Sequence, residues 1–146
     1  MHLTGKNKGF TILELMVTIS IFFLIVSFSN YGINGWVSKI KLESDMRAVY
    51  TQLLKARQLA IINQINYGIK FEPQNDSYIL IKEETELEIK KLNEGIKYSR
   101  ISFGDSNQVT FTPLGTARSG HVKIKNTYSD SYKLIVAPHT GRIRYE

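Results

Sequence analysis

The chain has 146 residues, a formal net charge of +6 at pH 7 and no cysteine. This length fits one modest domain, and the lack of cysteine excludes disulfide bonds and thiolate metal sites. The basic charge suits contact with nucleic acid or another anionic surface, although many ordinary basic proteins have a similar charge.

The N-terminal region contains a long apolar run. No charged side chain occurs between residues 15 and 38, and residues 10–28 have about the length of a helix that crosses a bilayer. Lys6 and Lys8 precede the run, so the positive-inside rule predicts a cytoplasmic N-terminus, with the rest of the chain outside. A cleaved secretory signal is the alternative, with Ser27-Phe28-Ser29 as a small-x-small cleavage site.

Glu14 is the unusual residue of this apolar run. An acidic residue at the centre of a membrane helix costs about 3 kcal/mol on insertion scales, and less near the edge. A carboxylate in the apolar region of a signal peptide hinders insertion, so Glu14 argues against a cleaved signal. In an ordinary single-span anchored protein, the carboxylate would instead snorkel to the membrane surface.

The stretch Lys8-Gly9-Phe10-Thr11-Ile12-Leu13-Glu14-Leu15 resembles the processing site of type IV pilins and of the pseudopilins of type II secretion and DNA-uptake systems. The resemblance implies a leader peptide of residues 1–9, a prepilin peptidase that cuts between Gly9 and Phe10, and N-methylation of Phe10. It also implies that Glu14 pairs, during filament assembly, with the new amino group of a neighbouring subunit. A buried carboxylate is unfavourable alone and tolerable when paired.

The residues after the apolar run predict an amphipathic helix. Gly32 and Gly35 are expected to loosen the helix, because each glycine costs about 1 kcal/mol relative to alanine. Beyond them, apolar residues recur at three- and four-residue steps, namely Leu42, Met46, Val49, Leu53, Ala56 and Ala60. The pattern predicts one helix from about Phe10 to about Asn63. Residues 10–35 would form the transmembrane and filament-core helix. Residues 36–146 would comprise the amphipathic part of the helix and the globular β-domain.

The remainder of the chain is predicted to form antiparallel strands. We expect them at Tyr67–Glu72, Ser77–Lys82, Ile96–Phe103, Val109–Pro113, His121–Lys125, Tyr132–Val136 and Arg142–Tyr145. The charged segment 83–91 is predicted to be a solvated edge strand or a loop. The predicted fold class is therefore α+β, a pilin-like fold in which a long N-terminal helical spine packs against an antiparallel β-sheet domain.

The C-terminal half resembles the GspH/FimT-type minor pseudopilins. The matching segments are residues 109–115, with the pattern F-x-P-x-G, and Gly141-Arg142-Ile143-Arg144 after the strand Leu134-Ile135-Val136. Some members of this branch bind DNA during uptake through a G-R-x-R tail and neighbouring basic residues. The resemblance implies backbone-directed DNA contact by Arg142 and Arg144, with further basic residues at Arg118, Lys123 and Lys125. The alternative is a solvated strand face whose glycine makes the turn.

The remaining polar residues predict neither a catalytic nor a cofactor site. His2, His121 and His139 lack partners at metal-ligand spacing, and no nucleophile–base–orienter set stands out. We therefore expect a non-enzymatic filament subunit in the cell (inner) membrane, with its globular domain outside. Its partners would be a prepilin peptidase, other pilin subunits, membrane lipid before assembly and, in the alternative function, DNA. A type IV pilus, type II secretion and competence for DNA uptake all remain open.

Overall fold

The computed structural model describes residues 10–104 and 106–146, apart from the side chains of residues 28–32. Helix α1 spans Ile12–Asn63. The strands that follow in the described residues are β1 Tyr67–Glu72, β2 Ser77–Lys82, β3 Thr85–Lys91, β4 Lys97–Ser102, β5 Gln108–Phe111, β6 Gly120–Lys125, β7 Ser131–Val136 and β8 Ile143–Tyr145. The element order confirms the predicted α+β fold, in which a long N-terminal helix precedes antiparallel strands.

The chain divides into two compact units, Met1–Trp36 and Val37–Glu146. In its described part, the first unit consists of the N-terminal portion of α1. The helix continues through Gly32 and Gly35 without a break, so the expectation that these glycines loosen it was wrong. Two glycines lower helix stability by about 2 kcal/mol in total, which is not enough to interrupt a helix of this length.

The second unit contains two four-stranded antiparallel sheets. The first sheet has the strand order β3-β2-β1-β5, and the second has the order β4-β6-β7-β8. The chain therefore leaves the first sheet after β3, forms β4 in the second sheet, and returns to add β5 beside β1 before completing the second sheet. This interleaving connects the sheets covalently three times.

One stripe of α1 forms the centre of the core. The six predicted apolar positions, Leu42, Met46, Val49, Leu53, Ala56 and Ala60, are each at most 1% exposed. The stripe packs with buried residues of both sheets. Where the sheets meet, the rings of Phe71 and Phe103 stack with their centroids 5.7 Å apart, and the Tyr98 hydroxyl donates a hydrogen bond to the Ser77 carbonyl at 3.1 Å.

The charged segment after β2 forms an edge strand, β3. Its side chains are mostly exposed, and its glutamates form ion pairs with neighbouring lysines. Lys70 on β1 lies 3.0 Å from Glu86 and 3.4 Å from Glu72, and Lys55 on α1 lies 2.7 Å from Glu88. Charged side chains along an edge discourage pairing with further strands, which explains why such a polar segment is compatible with a strand here.

Asp45 connects the helix to the loop between β3 and β4. It is a buried charged residue, 5% exposed. Its carboxylate accepts hydrogen bonds from the Asn93 backbone N–H at 2.8 Å and from the Asn93 side-chain amide at 2.6 Å. Burial raises the pKa of Asp45, whereas the two hydrogen bonds oppose that rise. The contact holds the chain on the helix as it passes from one sheet to the other.

Replacing Asp45 with alanine is expected to destabilise the second unit by about 1–3 kcal/mol, because two donors of Asn93 would lose their acceptor. Glu43→Ala is the matched control, since Glu43 lies on the same helix but forms an exposed ion pair with Arg47 at 2.6 Å, and such pairs contribute about 0.5 kcal/mol or less. Denaturant unfolding of the full chain in detergent measures both variants. Equal stability of the Asp45 and Glu43 variants would contradict the role of this contact.

Candidate functional site

The first turn of α1 is capped by Thr11. The Thr11 hydroxyl accepts a hydrogen bond from the Glu14 backbone N–H at 3.2 Å, and Glu14 lies in the first turn of the helix. The residues Thr11 and Glu14 thus occupy the two key positions of a capping box. An acidic side chain here is also favoured by the helix dipole. The pattern T-x-x-E at residues 11–14 is a sequence signal for this helix start.

The described part of the first unit exposes apolar side chains over its whole surface. The exposed fractions include 75% for Phe10, 81% for Ile12 and 64% for both Phe22 and Phe23. A helix that is apolar all round is typical of one that is buried against other helices or lipid. Among the described residues, no helix combines the length and the hydropathy needed to cross a bilayer.

The hydroxyl side chains of this segment bond to the helix itself. Thr18 donates to the Glu14 carbonyl at 2.8 Å, and Ser20 and Ser27 donate to the carbonyls four residues before them, also at 2.8 Å. In apolar surroundings, an unsatisfied hydroxyl costs free energy. The hydroxyl groups are thus satisfied within the helix. The Glu14 carboxylate is the only charged side chain between residues 10 and 38.

The predicted cleavage site lies only partly within the described residues. Gly9 and the rest of the leader fall outside them, whereas Phe10 is described and exposed. The proposed roles of Gly9, Phe10 and Glu14 therefore stay predictions from the sequence.

The predicted G-R-x-R tail forms the end of the second sheet. Strand β8 begins at Ile143 and pairs with β7, where Ile143 lies opposite Val136 and Arg144 opposite Ile135. Arg142 precedes the strand, and its carbonyl accepts a hydrogen bond from the Ala137 N–H at 2.8 Å. Arg142 and Arg144 are both exposed, and the residue between them is partly buried.

Gly141 has a structural reason to be glycine. Its φ angle is +58°, a region that side chains rarely adopt, and a Cβ atom at this position would overlap the Gly115 carbonyl oxygen. Arg57 on α1 holds the same two loops, because its guanidinium donates to the Gly115 carbonyl at 3.0 Å and to the Thr140 carbonyl at 3.2 Å. The glycines of the two matched segments therefore meet at one point beside the helix.

The other predicted basic residues lie in two different places. Lys123 and Lys125 are on β6, on the face opposite the buried Val122 and Ile124. Arg118 lies in the preceding loop, beside the Gly104 turn, where a Cβ atom at Gly104 would be 3.0 Å from its guanidinium.

The structure adds two basic residues, Lys97 and Arg100, that the sequence did not indicate as part of this surface. Lys123 lies opposite both Arg100 on β4 and Lys133 on β7, and Lys125 lies opposite Lys97. The outer face of the second sheet, defined by Lys97, Arg100, His121, Lys123, Lys125, Lys133 and Arg144, is therefore strongly basic. Strands β4, β6, β7 and β8, all fully described, contain no acidic residue.

A β-bulge in β4 explains why the sequence did not indicate that Lys97 and Arg100 lie on the same face. The register shifts between Tyr98 and Arg100, so one extra residue reverses the alternation of side chains. Simple alternation would assign Lys97 and Arg100 to opposite faces, whereas the bulge brings them to the same face. Lys133, by contrast, followed from the plain alternation of β7.

His121 lies on the basic outer face, in the row next to Arg100, Lys123 and Lys133. It pairs with Ser102 on β4 and Ile135 on β7. Partial burial, together with the positive charges of Lys133 and Arg100, lowers the pKa of His121. Among the described residues, no group of three or more His, Cys, Asp or Glu side chains is arranged to hold a metal ion.

The N-terminal sequence and the fold match known proteins. Residues 4–29 match the prokaryotic N-terminal methylation motif. The chain thus carries the N-terminal motif typical of type IV pilins and pseudopilins. No curated protein shows significant similarity to this chain.

Solved structures of a minor pseudopilin and of a minor pilin share the fold of the chain. Two structures of the minor pseudopilin EpsH of the Vibrio cholerae type II secretion system match with TM-scores of 0.62 and 0.61, at 12% and 11% identity. These matches cover 73% and 75% of this chain, and 96% and 94% of the EpsH chains. The type IV minor pilin FimU of Pseudomonas aeruginosa matches with a TM-score of 0.58 at 16% identity, over 72% of this chain and 92% of FimU.

These findings support the predicted resemblance to type IV pilins and pseudopilins and confirm the pilin-like fold. The prepilin motif and the fold together support a minor pilin or pseudopilin of a type IV pilus-like system. At 11–16% identity the structural matches carry the fold alone, so the system that this pilin-like protein serves is a separate question.

Replacing Gly141 with alanine is expected to destabilise the second unit by about 1–3 kcal/mol, because the new Cβ atom meets the Gly115 carbonyl and the φ angle is strained. Gly35→Ala is the matched control, because nothing lies within 4 Å of a Cβ atom at this helical position, and alanine there is expected to be neutral or slightly stabilising. Thermal unfolding compares the two variants. Unchanged stability of Gly141→Ala would contradict the close approach of the two loops.

Proposed function

We propose that this protein is a structural subunit of a type IV pilus-like filament, cut after Gly9 by a prepilin peptidase and then N-methylated at Phe10. Before assembly, residues 10–35 anchor the subunit in the cell (inner) membrane with the N-terminus in the cytoplasm, and the globular domain lies outside. The role is structural and involves no catalytic step. The observation that supports it best is an all-round apolar helix segment that carries a single carboxylate, Glu14.

The energetic cost of that carboxylate gives it a function in assembly. Processing creates a positively charged amino group at Phe10, four residues before Glu14. In a filament, the amino group of one subunit meets Glu14 of its neighbour, and the pair compensates two charges that would be costly alone. Only one axial offset between neighbouring helices brings the two groups together. Glu14 thus selects the register of the subunits, and capping of the first turn is compatible with this role.

Three systems fit such a subunit, namely a type IV pilus, a type II secretion system and a DNA-uptake system. A pilus or secretion role requires only the helix and a domain that fits its neighbours. DNA uptake requires in addition a surface that binds DNA. The exposed pair Arg142 and Arg144 beside a basic sheet face favours DNA contact as the second function, displayed on the fibre by the same subunit.

Glu14→Ala is expected to leave membrane insertion and processing intact and to abolish incorporation into fibres, because the neighbour's amino group loses its partner. The fibres are sheared from cells and the subunit is measured by immunoblot. Glu43→Ala, which removes an exposed acid from the same helix, is the matched control and is expected to assemble normally.

Mass spectrometry of the N-terminus in the same samples tests processing. A methylated Phe10 terminus is expected for the unmutated chain and for both variants. Normal incorporation of Glu14→Ala would refute the register role. An intact Met1, or a terminus beyond Ser27, would refute the proposed processing site.

Arg142→Gln with Arg144→Gln is expected to weaken binding of a mixed-sequence DNA duplex and to lower the magnitude of the log K against log[salt] slope by about two, since each phosphate contact contributes about one. Fluorescence anisotropy of the full chain in detergent measures both quantities. Lys90→Gln with Lys91→Gln on β3 is the control, because it removes the same charge from the other sheet. Equal effects of the two double variants would leave only a net-charge effect and refute a C-terminal contact.

A further inference from the structure

We propose that the basic outer face of the second sheet is a binding surface for duplex DNA, and that His121, in the row beside the central cations, takes up a proton when the DNA binds. The inference rests on the DNA contact proposed above for Arg142 and Arg144. It extends that contact from the end of the chain to four strands and adds a dependence on pH.

The register of the sheet aligns the cations in rows. One row crosses three strands, with Arg100, Lys123 and Lys133 directly opposite one another. The next row along the strands contains Lys97 and Lys125, and the row on the other side contains His121 and Arg144. The inner-facing partners, Val122, Ile124 and Leu134, are buried, so the cations lie on the solvent side of the sheet.

The dimensions of the face suit a nucleic-acid backbone. Strands lie about 4.8 Å apart, so four of them span about 14 Å, and the four-residue distance from His121 to Lys125 is about 13 Å. A duplex carries one phosphate charge per about 1.7 Å of its axis. A patch of this size therefore lies opposite several phosphates at once. The contact would be directed at the backbone and indifferent to sequence.

The cation rows have a stability cost that a bound polyanion removes. Like charges directly opposite each other on neighbouring strands are destabilising, and Lys123 has such a neighbour on each side. On this face, within the described residues, the ion pair that offsets the cations is that of Lys133 with Glu146, at 3.0 Å. Phosphates placed over the rows would supply the missing negative charge.

His121 makes the binding of DNA to this surface dependent on pH. Its immediate neighbours across the sheet are Ser102 and Ile135, and Arg144 lies opposite Ile135 on β8 in the same row. In the adjacent row, Arg100 and Lys133 lower the pKa of His121 below its usual 6.5, with partial burial as the larger cause, and Glu146 is paired to Lys133.

The linkage follows from these charges. The free protein holds His121 mainly neutral near pH 7, and phosphates bound over the face oppose the repulsion from Lys133 and Arg100. The pKa of His121 therefore rises on binding, so the complex binds more protons than the free protein. Affinity for DNA then increases as pH falls across the interval between the two pKa values. A rise of one unit corresponds to a tenfold gain in affinity.

The experiment measures binding of a mixed-sequence duplex of about 30 base pairs to the full-length protein in detergent, by fluorescence anisotropy at fixed ionic strength, from about pH 8 to about pH 5.5. The unmutated protein is expected to bind about three- to tenfold more tightly at the acidic end. His121→Gln should abolish this gain. His139→Gln is the matched control, because His139 lies in an exposed turn of the same unit, and it should retain the gain.

A second comparison locates the surface. Arg100→Gln with Lys123→Gln should lower the magnitude of the salt slope by about two, whereas Lys90→Gln with Lys91→Gln should leave it within about half a unit. Thermal unfolding verifies that each variant is folded. Polyglutamate is the competitor that distinguishes DNA from an acidic protein surface, and a tenfold excess by charge is expected to displace little of the duplex.

Each result has a definite meaning. Loss of binding in the Arg142/Arg144 variant, with no change in the Arg100/Lys123 variant, would overturn this inference and leave the C-terminal contact intact. No binding of the duplex at any pH would overturn both DNA proposals and leave the filament role, which is measured separately by fibre incorporation. Efficient displacement by polyglutamate would identify an acidic protein surface as the partner. An unchanged pH profile in His121→Gln would refute proton uptake at this residue.

Discussion

The burial of one stripe of α1 is the constraint on which the globular unit depends. Two four-stranded sheets share this stripe, and the described part of the chain offers neither sheet another helix against which to bury its inner face. Small residues at Ala56 and Ala60 and larger ones at Leu42, Met46 and Leu53 fill the space between helix and sheets. An antiparallel sheet with only one apolar face needs such a cover. The helix is therefore as much a core element of the domain as a connection to the segment before it.

The same helix presents opposite chemistry in its two parts. In the second unit, one stripe is buried and the remaining surface carries charges such as Glu43, Arg47 and Lys55. In the first unit, apolar side chains are exposed on all sides and the hydroxyl groups bond to the helix backbone. Apolar surface of this extent is removed from water by lipid or by other helices. This division of chemistry along one helix is what the proposed transfer from a membrane to a filament requires.

The outer faces of the two sheets differ in charge although the sheets share one core. The first sheet ends in the glutamate-rich edge strand β3, whose acids pair with Lys55 and Lys70. The second sheet carries rows of cations with few acidic neighbours. Charge arranged in this way adds little to the stability of the fold, because exposed pairs are weak. The charge on each outer face instead determines which charged molecules approach that face.

The sequence by itself determined the leader pattern, the helix and its buried stripe, and most of the strands, because these depend on local spacing of side chains along one segment. The acidic segment before Leu92 was ambiguous, since a strand and a loop with those residues look alike until a neighbouring strand pairs with it. Only the tertiary structure decided that β5 returns to the first sheet, that a bulge brings Lys97 and Arg100 to one face, and that Gly141 meets Gly115 beside Arg57. These features depend on which strands pair and in which register, and pairing joins residues far apart in the chain whose spacing carries no local signal.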